Sequence, residues 1–124
     1  MHAIILFAHG SRDPQWHKPI QAVAERITQR SPNTVVRCAY LELTEPDLPH
    51  VAKVLVTEGA TSLCVVPMFL GVGRHAREDL PQLITALKAE HPMVEINCQP
   101  AVGEQSSLLD LLADIALGHA NNVA

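Results

Sequence analysis

Residues 4–14 read IILFAHGSRDP: an aliphatic run that ends in a histidine, a glycine, a serine, an arginine and an aspartate. A chain leaving a buried strand can turn on glycine and aspartate alone, so His9, Ser11 and Arg12 raise the prospect of chemistry where the run stops. Two later segments have the same character. YLELTEP, at 40–46, places Glu42 just beyond a second aliphatic run, and VVPMFLGVGRH, at 65–75, places Arg74 and His75 beyond a third, behind Gly71 and Gly73. Two imidazoles and a carboxylate suit metal and proton chemistry. Neutral imidazole binds cobalt, iron, nickel and zinc, and it takes up a proton near neutral pH without a large pKa shift. Arg12, Arg74 and Arg77 would suit an anionic ligand through bidentate contacts.

Each residue also has a plainer reading. A histidine at a strand end can bond a backbone carbonyl, a glutamate can be solvated surface, and arginines serve solubility. The two glycines either clear space for something passing close or only turn the chain. HGS has the look of an oxyanion-hole sequence, which leaves a small hydrolase open as a weaker alternative, but no G-x-S-x-G elbow supplies a nucleophile. No P-loop is present and no G-x-G-x-x-G opens a helix, which argues against nucleotide binding.

Four elements of one kind and four of another must position these groups. Aliphatic runs at Ala3–Ala8, Thr34–Leu41, Ser62–Met68 and Val94–Gln99 are near-continuous, as in strands buried on both faces of a parallel sheet. Helical i, i+3, i+4, i+7 spacing links Ile20, Val23, Ala24 and Ile27, then Leu48, Val51, Ala52 and Leu55. It recurs at Leu80, Leu83, Ile84 and Leu87, and at Leu108, Leu111, Leu112 and Ile115. Asp13 before Pro14 predicts a capped start to the first helix. Gly59 predicts an αL end to the second, Pro92 a stop for the third after His91, and Ser106 or Ser107 a cap for the fourth. The β-α alternation predicts a single α/β domain over 1–124, a three-layer α/β/α sandwich with a four-stranded parallel sheet. In such a sheet, ligands bind beyond the carboxyl ends of the strands. That rule selects His9, Glu42 and His75 at one edge. It sets aside His2 at the opposite edge, and leaves Trp16, His17, His50, His91 and His119 as surface or packing residues.

Composition narrows the field. The 124 residues are 48% hydrophobic but only 3% aromatic, so the core must be aliphatic. A net charge of −4 without a basic block disfavours nucleic acid, and no apolar run approaches the roughly 20 residues that cross a bilayer. The segment Met1-His2-Ala3 lacks a basic region, so its apolar run reads as a first strand and not a secretion signal. Cys38, Cys64 and Cys98 are odd in number, far apart and inside apolar segments, which predicts free structural thiols in a reducing cytoplasm.

HGSRDP after the first strand, YLELTEP after the second, and VVPMFLGVGRH leading to EDLP after the third together resemble the short form of the class II tetrapyrrole chelatases. Within that family the likeness is to sirohydrochlorin cobaltochelatases of the anaerobic cobalamin pathway, with the sirohydrochlorin ferrochelatases of siroheme synthesis as near kin. It spans at least residues 3 to about 103. The resemblance implies that the sheet has flavodoxin-like winding. It also implies ATP-independent insertion of a divalent ion into sirohydrochlorin, with Co2+ favoured and Fe2+ or Ni2+ as alternatives, and no permanently bound cofactor. It implies that His9 and His75 hold the ion and take the pyrrole protons, with Glu42 as a further ligand or proton exit. Ser11 and Arg12 would position the substrate; Gly71, Gly73 and Arg74 belong to the same rim. Longer relatives carry two such units facing across a cleft, so one unit implies a homodimer. The segment after Gly103 is short and carries no His-rich tail or cluster-binding cysteines. A non-catalytic carrier of metal or tetrapyrrole would use the same histidines and remains open at this point.

Overall fold

The computed structural model describes residues 1–119. Four strands, β1 (His2–Ala8), β2 (Val35–Tyr40), β3 (Ser62–Pro67) and β4 (Glu95–Cys98), alternate with four helices, α1 (Lys18–Arg30), α2 (Leu48–Thr57), α3 (Arg74–Glu90) and α4 (Ser106–Leu117). The strands form one parallel sheet in the order β2-β1-β3-β4. β1 lies at its centre, with Ala8 beside Tyr40 on one flank and Phe7 beside Pro67 on the other. The expected α/β winding is therefore observed, and each strand ends within about one residue of its expected bounds, as ladder ends commonly do. Because the chain runs from β1 outward to β2 and then back across to β3, the order reverses between β1 and β3. That is the switch point beside which a crevice opens in such sheets.

Strand alternation divides the core. Ala3, Ile5 and Phe7 of β1, Leu63 and Val65 of β3 and Ile96 of β4 pack with Leu48, Val51, Ala52 and Leu55 of α2 and Ala76, Ile84 and Leu87 of α3, all of them buried. The opposite face carries α1 against β2 and β1. Here Leu6 and Ala8 are buried, but Ile4, Cys64 and Val66 are only half-buried, and no residue of α1 is sealed from water.

Three local expectations need correction. Asp13 and Pro14 start a separate 3-10 turn, Pro14–His17, and α1 begins only at Lys18. Asp13 does cap that turn, accepting from the Gln15 N–H at 3.0 Å. Neither Ser106 nor Ser107 caps α4, since the helix begins at Ser106 with Gln105 in the cap position and no side-chain bond. The α4 stripe forms with the expected spacing but covers no core: Leu111, Leu112 and Ile115 are exposed, and the helix packs against the short turn Val102–Glu104. The other two boundaries match, with Gly59 at φ +106 after α2 and His91 ending α3 before Pro92.

Candidate metal and proton-transfer site

His9 is the first residue beyond β1, and the ladder continues past the strand to fix it. The Leu41 N–H donates to the Ala8 carbonyl at 2.8 Å, the Glu42 N–H to the His9 carbonyl at 3.0 Å, and the Met68 N–H to the Phe7 carbonyl at 2.7 Å. The loops after β2 and β3 are thereby sewn to the loop after β1, and Glu42 is carried beside His9 by its backbone while its side chain stays exposed. Gly10 makes the join possible. It sits at φ +92, and a Cβ there would lie 2.1 Å from the Glu42 carbonyl oxygen. Only glycine offers both that backbone and that clearance.

The His9 ring is half-buried and leans on Phe69, with ring centroids 4.4 Å apart. Phe69 in turn meets Phe7 edge-on at 5.9 Å, so the imidazole is backed by a ring anchored in the sealed core. On its other side His9 lines a cavity of about 220 Å³ with Ala8, Trp16, Pro19, Ile20 and Met68. The segment after His9 is braced by three bonds. Ser11 Oγ accepts from the Asp13 N–H at 3.1 Å, Asp13 caps the following turn, and His17 Nε2 donates to the Ser11 carbonyl at 2.8 Å. The His17 ring meets Tyr40 at 4.6 Å.

His75 lies in the first turn of α3, exposed, at the end of the loop that follows β3. Arg74 Nε donates to Glu78 at 3.1 Å in a solvent-facing pair, which is worth little to stability. Gly73 supplies the helix N-cap without a side-chain bond, and no acid lies in the first turn, so the backbone N–H groups at this helix start favour a negative partner. A Cβ on Gly71 or Gly73 would meet no described residue within 4 Å, so both positions border open space. Arg77, exposed, lines a groove of about 410 Å³ together with Phe69, Val72, Ala76 and the residues after β4. Arg12 is exposed on the His9 loop.

Among the described residues no group of three or more His, Cys, Asp or Glu side chains is gathered to hold a metal ion. The cysteines are free, and burial pushes the Cys38 and Cys98 thiols up from their ordinary value. Neutral thiols of this kind are poor nucleophiles and poor metal ligands, in keeping with a structural role. No described helix is long and apolar enough to cross a membrane.

Sequence reasoning passed over four residues that shape this site. Phe69, one residue past the third aliphatic run, carries no sequence signal of its own, although it backs His9. His17 was placed with the packing histidines, and its position in a turn after HGSRD was its one available signal. Trp16 carried none beyond its rarity. Gly103 is forced by close approach, a Cβ there falling 1.7 Å from the Leu70 carbonyl oxygen, and it pins the turn before α4 against the end of the β3 loop.

Comparison with known proteins names the arrangement. The family model CbiX matches residues 3–116. A sirohydrochlorin cobaltochelatase of Methanocaldococcus jannaschii is 27% identical over 95% of this chain and 99% of its own length. A second, from Methanococcus aeolicus, is 33% identical over 73% of this chain and 63% of its own length. Among solved structures, a cobalamin (vitamin B12) biosynthesis CbiX protein from Marinobacter aquaeolei VT8 superposes with TM-score 0.80 at 34% identity, covering 98% of this chain and 99% of that one. The sirohydrochlorin chelatase SirB from Bacillus subtilis subspecies spizizenii, in complex with cobalt, gives TM-score 0.77 at 26% identity, and there this chain spans only 50% of the relative's length. With a sheet of the same winding and a family match over nearly its whole length, this chain belongs to the CbiX family.

Proposed function

We propose that this protein is a sirohydrochlorin chelatase that inserts a divalent ion, Co2+ before Fe2+ or Ni2+, without a nucleotide, and that it serves cobalamin synthesis in the cytoplasm as a homodimer of one-domain subunits. The observation that carries the reading is His9: an imidazole at the switch-point edge, braced from behind by Phe69 and open in front, in a chain of the CbiX family. Insertion replaces two pyrrole N–H protons by one M2+, so the reaction needs bases next to the incoming ion. In this reading His9 and His75 hold the ion through neutral imidazole and then accept those protons, while Glu42, carried beside His9, relays a proton to solvent. Ser11, Arg12 and Arg74, with the open space at Gly71 and Gly73, receive the acidic periphery of the macrocycle. In this reading the second wall of the cleft comes from a second subunit.

The test is purified protein with sirohydrochlorin and Co2+, Fe2+ or Ni2+ in turn under anaerobic conditions, followed by absorbance. His9→Ala and His75→Ala each lower the enzyme-dependent rate by about 10²-fold or more, the scale of a positioned general base. Unchanged rates in both variants would remove the site assignment. Stoichiometric binding without repeated turnover would identify a carrier instead, and a faster Fe2+ than Co2+ reaction would move the protein to siroheme synthesis.

A further inference from the structure

We infer that Trp16 is a binding wall for one face of a flat conjugated macrocycle, held at a fixed offset from His9 by the 3-10 turn between them. The inference rests on the chelatase reading for its ligand but on separate observations for its site. Trp16 is the protein's one tryptophan, and it is 59% exposed, whereas Phe7, Phe69 and Tyr40 are all buried. The exposed indole is not an isolated surface group. It borders the cavity that His9 lines, whose other walls, Ala8, Pro19, Ile20 and Met68, are apolar. His9 is thus the one ionisable side chain on an apolar, aromatic-edged surface.

The turn explains how the two are held together. Pro14 fixes its first residue, Asp13 caps it through the Gln15 N–H, and the Trp16 N–H donates to the Asp13 carbonyl at 3.0 Å. His17 then ties the turn back to the Ser11 carbonyl. His9, Ser11, Asp13, Gln15 and Trp16 are thus each held by a hydrogen bond, and Pro14 by its ring, along the segment from the imidazole to the indole. A cavity of about 220 Å³ is smaller than the roughly 300–1,000 Å³ that encloses a drug-sized ligand, so it receives an edge or one face of a large planar molecule. An indole is suited to that contact, because stacking on a π-face needs no hydrogen-bond match. Arg12 is exposed on the same loop, a cation within the segment that joins His9 to Trp16.

The experiment is an absorbance titration of metal-free sirohydrochlorin against wild-type protein, Trp16→Phe, Trp16→Leu and Trp16→Ala, with Met93→Ala as a control on a 92% exposed side chain outside the site. Trp16→Ala weakens binding about tenfold, within the range for losing an aromatic stacking partner. Trp16→Leu, which keeps apolar bulk without a π-face, weakens it nearly as much, Trp16→Phe by less than about threefold, and Met93→Ala not at all. In turnover the Trp16→Ala loss falls on KM with kcat preserved. Because this binding is measured without metal, it stands even if insertion fails, which would sink the chelatase reading alone. Wild-type dissociation constant and KM in Trp16→Leu and Trp16→Ala overturn the wall while leaving the chelatase reading intact. The same is true if the variants change only the dimer fraction in light scattering, because a second subunit would then be what covers the indole.

Discussion

The sheet face beneath α2 and α3 and the face beneath α1 are built from the same four strands, yet they exclude water to very different degrees. On the first, Ala3, Ile5, Leu63 and Val65 are 0% exposed and two helices close over them. On the second, Ile4, Cys64 and Val66 stay half-buried and α1 has no sealed residue; α4, packed against the turn Val102–Glu104, likewise leaves Leu111, Leu112 and Ile115 in water. His9 stands where the two faces meet. Its back is Phe69, which belongs to the sealed core, and its front is the cavity walled by Trp16, Ile20 and Met68. A small chain can in this way hold an imidazole still and accessible at once: one face supplies rigidity, and the other leaves open space beside the ring.

That contrast is broken or kept most directly by matched leucine truncations. Leu55→Ala, in the sealed face at 0% exposure, costs about 2–5 kcal/mol in urea unfolding, the range for buried leucine. Leu111→Ala, 49% exposed on α4, stays within about 0.5 kcal/mol, as for surface sites. Equal losses would show that the apolar stripe of α4 is covered in solution. The next effect in size is Gly10→Ala. Its new Cβ would stand 2.1 Å from the Glu42 carbonyl with the backbone at φ +92, so the join between the β1 and β2 loops must open. A loss on the order of 2–3 kcal/mol is expected, with a larger fall in metal-insertion rate than Leu55→Ala produces, since His9 and Glu42 both move.

The parallel sheet was legible because strands buried on both faces write their apolar residues without a break, and the helices between them repeat one stripe four times. The same stripe misled at α4. Periodicity reports that a helix is amphipathic, but it cannot say whether its own chain covers the apolar side, and Leu111 and Ile115 are exposed. That His9, Glu42 and His75 follow the carboxyl ends of their strands was legible from position alone, because the strand-end rule is a property of the winding. The contacts around them were not. Phe69 looks like any apolar residue just past a strand, the use of Gly103 depends on a carbonyl from a loop thirty-odd residues earlier, and the bond from His17 to Ser11 depends on a 3-10 turn where Asp13 and Pro14 read as the start of α1.

His17 gives a smaller effect that separates bracing from burial. Removing the ring in His17→Ala takes away the bond to the Ser11 carbonyl and the contact with Tyr40, and costs about 1–2 kcal/mol. His17→Phe keeps the contact with Tyr40 and also removes Nδ1, which is buried without a partner, so its stability loss is smaller than that of His17→Ala. The insertion rate, however, falls in both variants, because in both the loop from His9 to Asp13 has lost its tie. A rate restored in His17→Phe would show that packing against Tyr40, not the hydrogen bond, holds the loop.

The smallest expected change lies beside Glu42. Leu43 holds φ +66 while 56% of its surface is exposed, so a branched residue bears a left-handed backbone with little packing in return. Leu43→Gly relieves that strain but gives the unfolded chain more freedom. The net gain is therefore below about 1 kcal/mol, read as a modest rise in thermal midpoint. If the strain serves to aim the neighbouring carboxylate, the same variant is more stable and slower, the trade expected where a site stores strain. A more stable variant with wild-type turnover would make Leu43 an accident of the loop. Glu42 would then owe its place beside His9 to the backbone join at Gly10 alone.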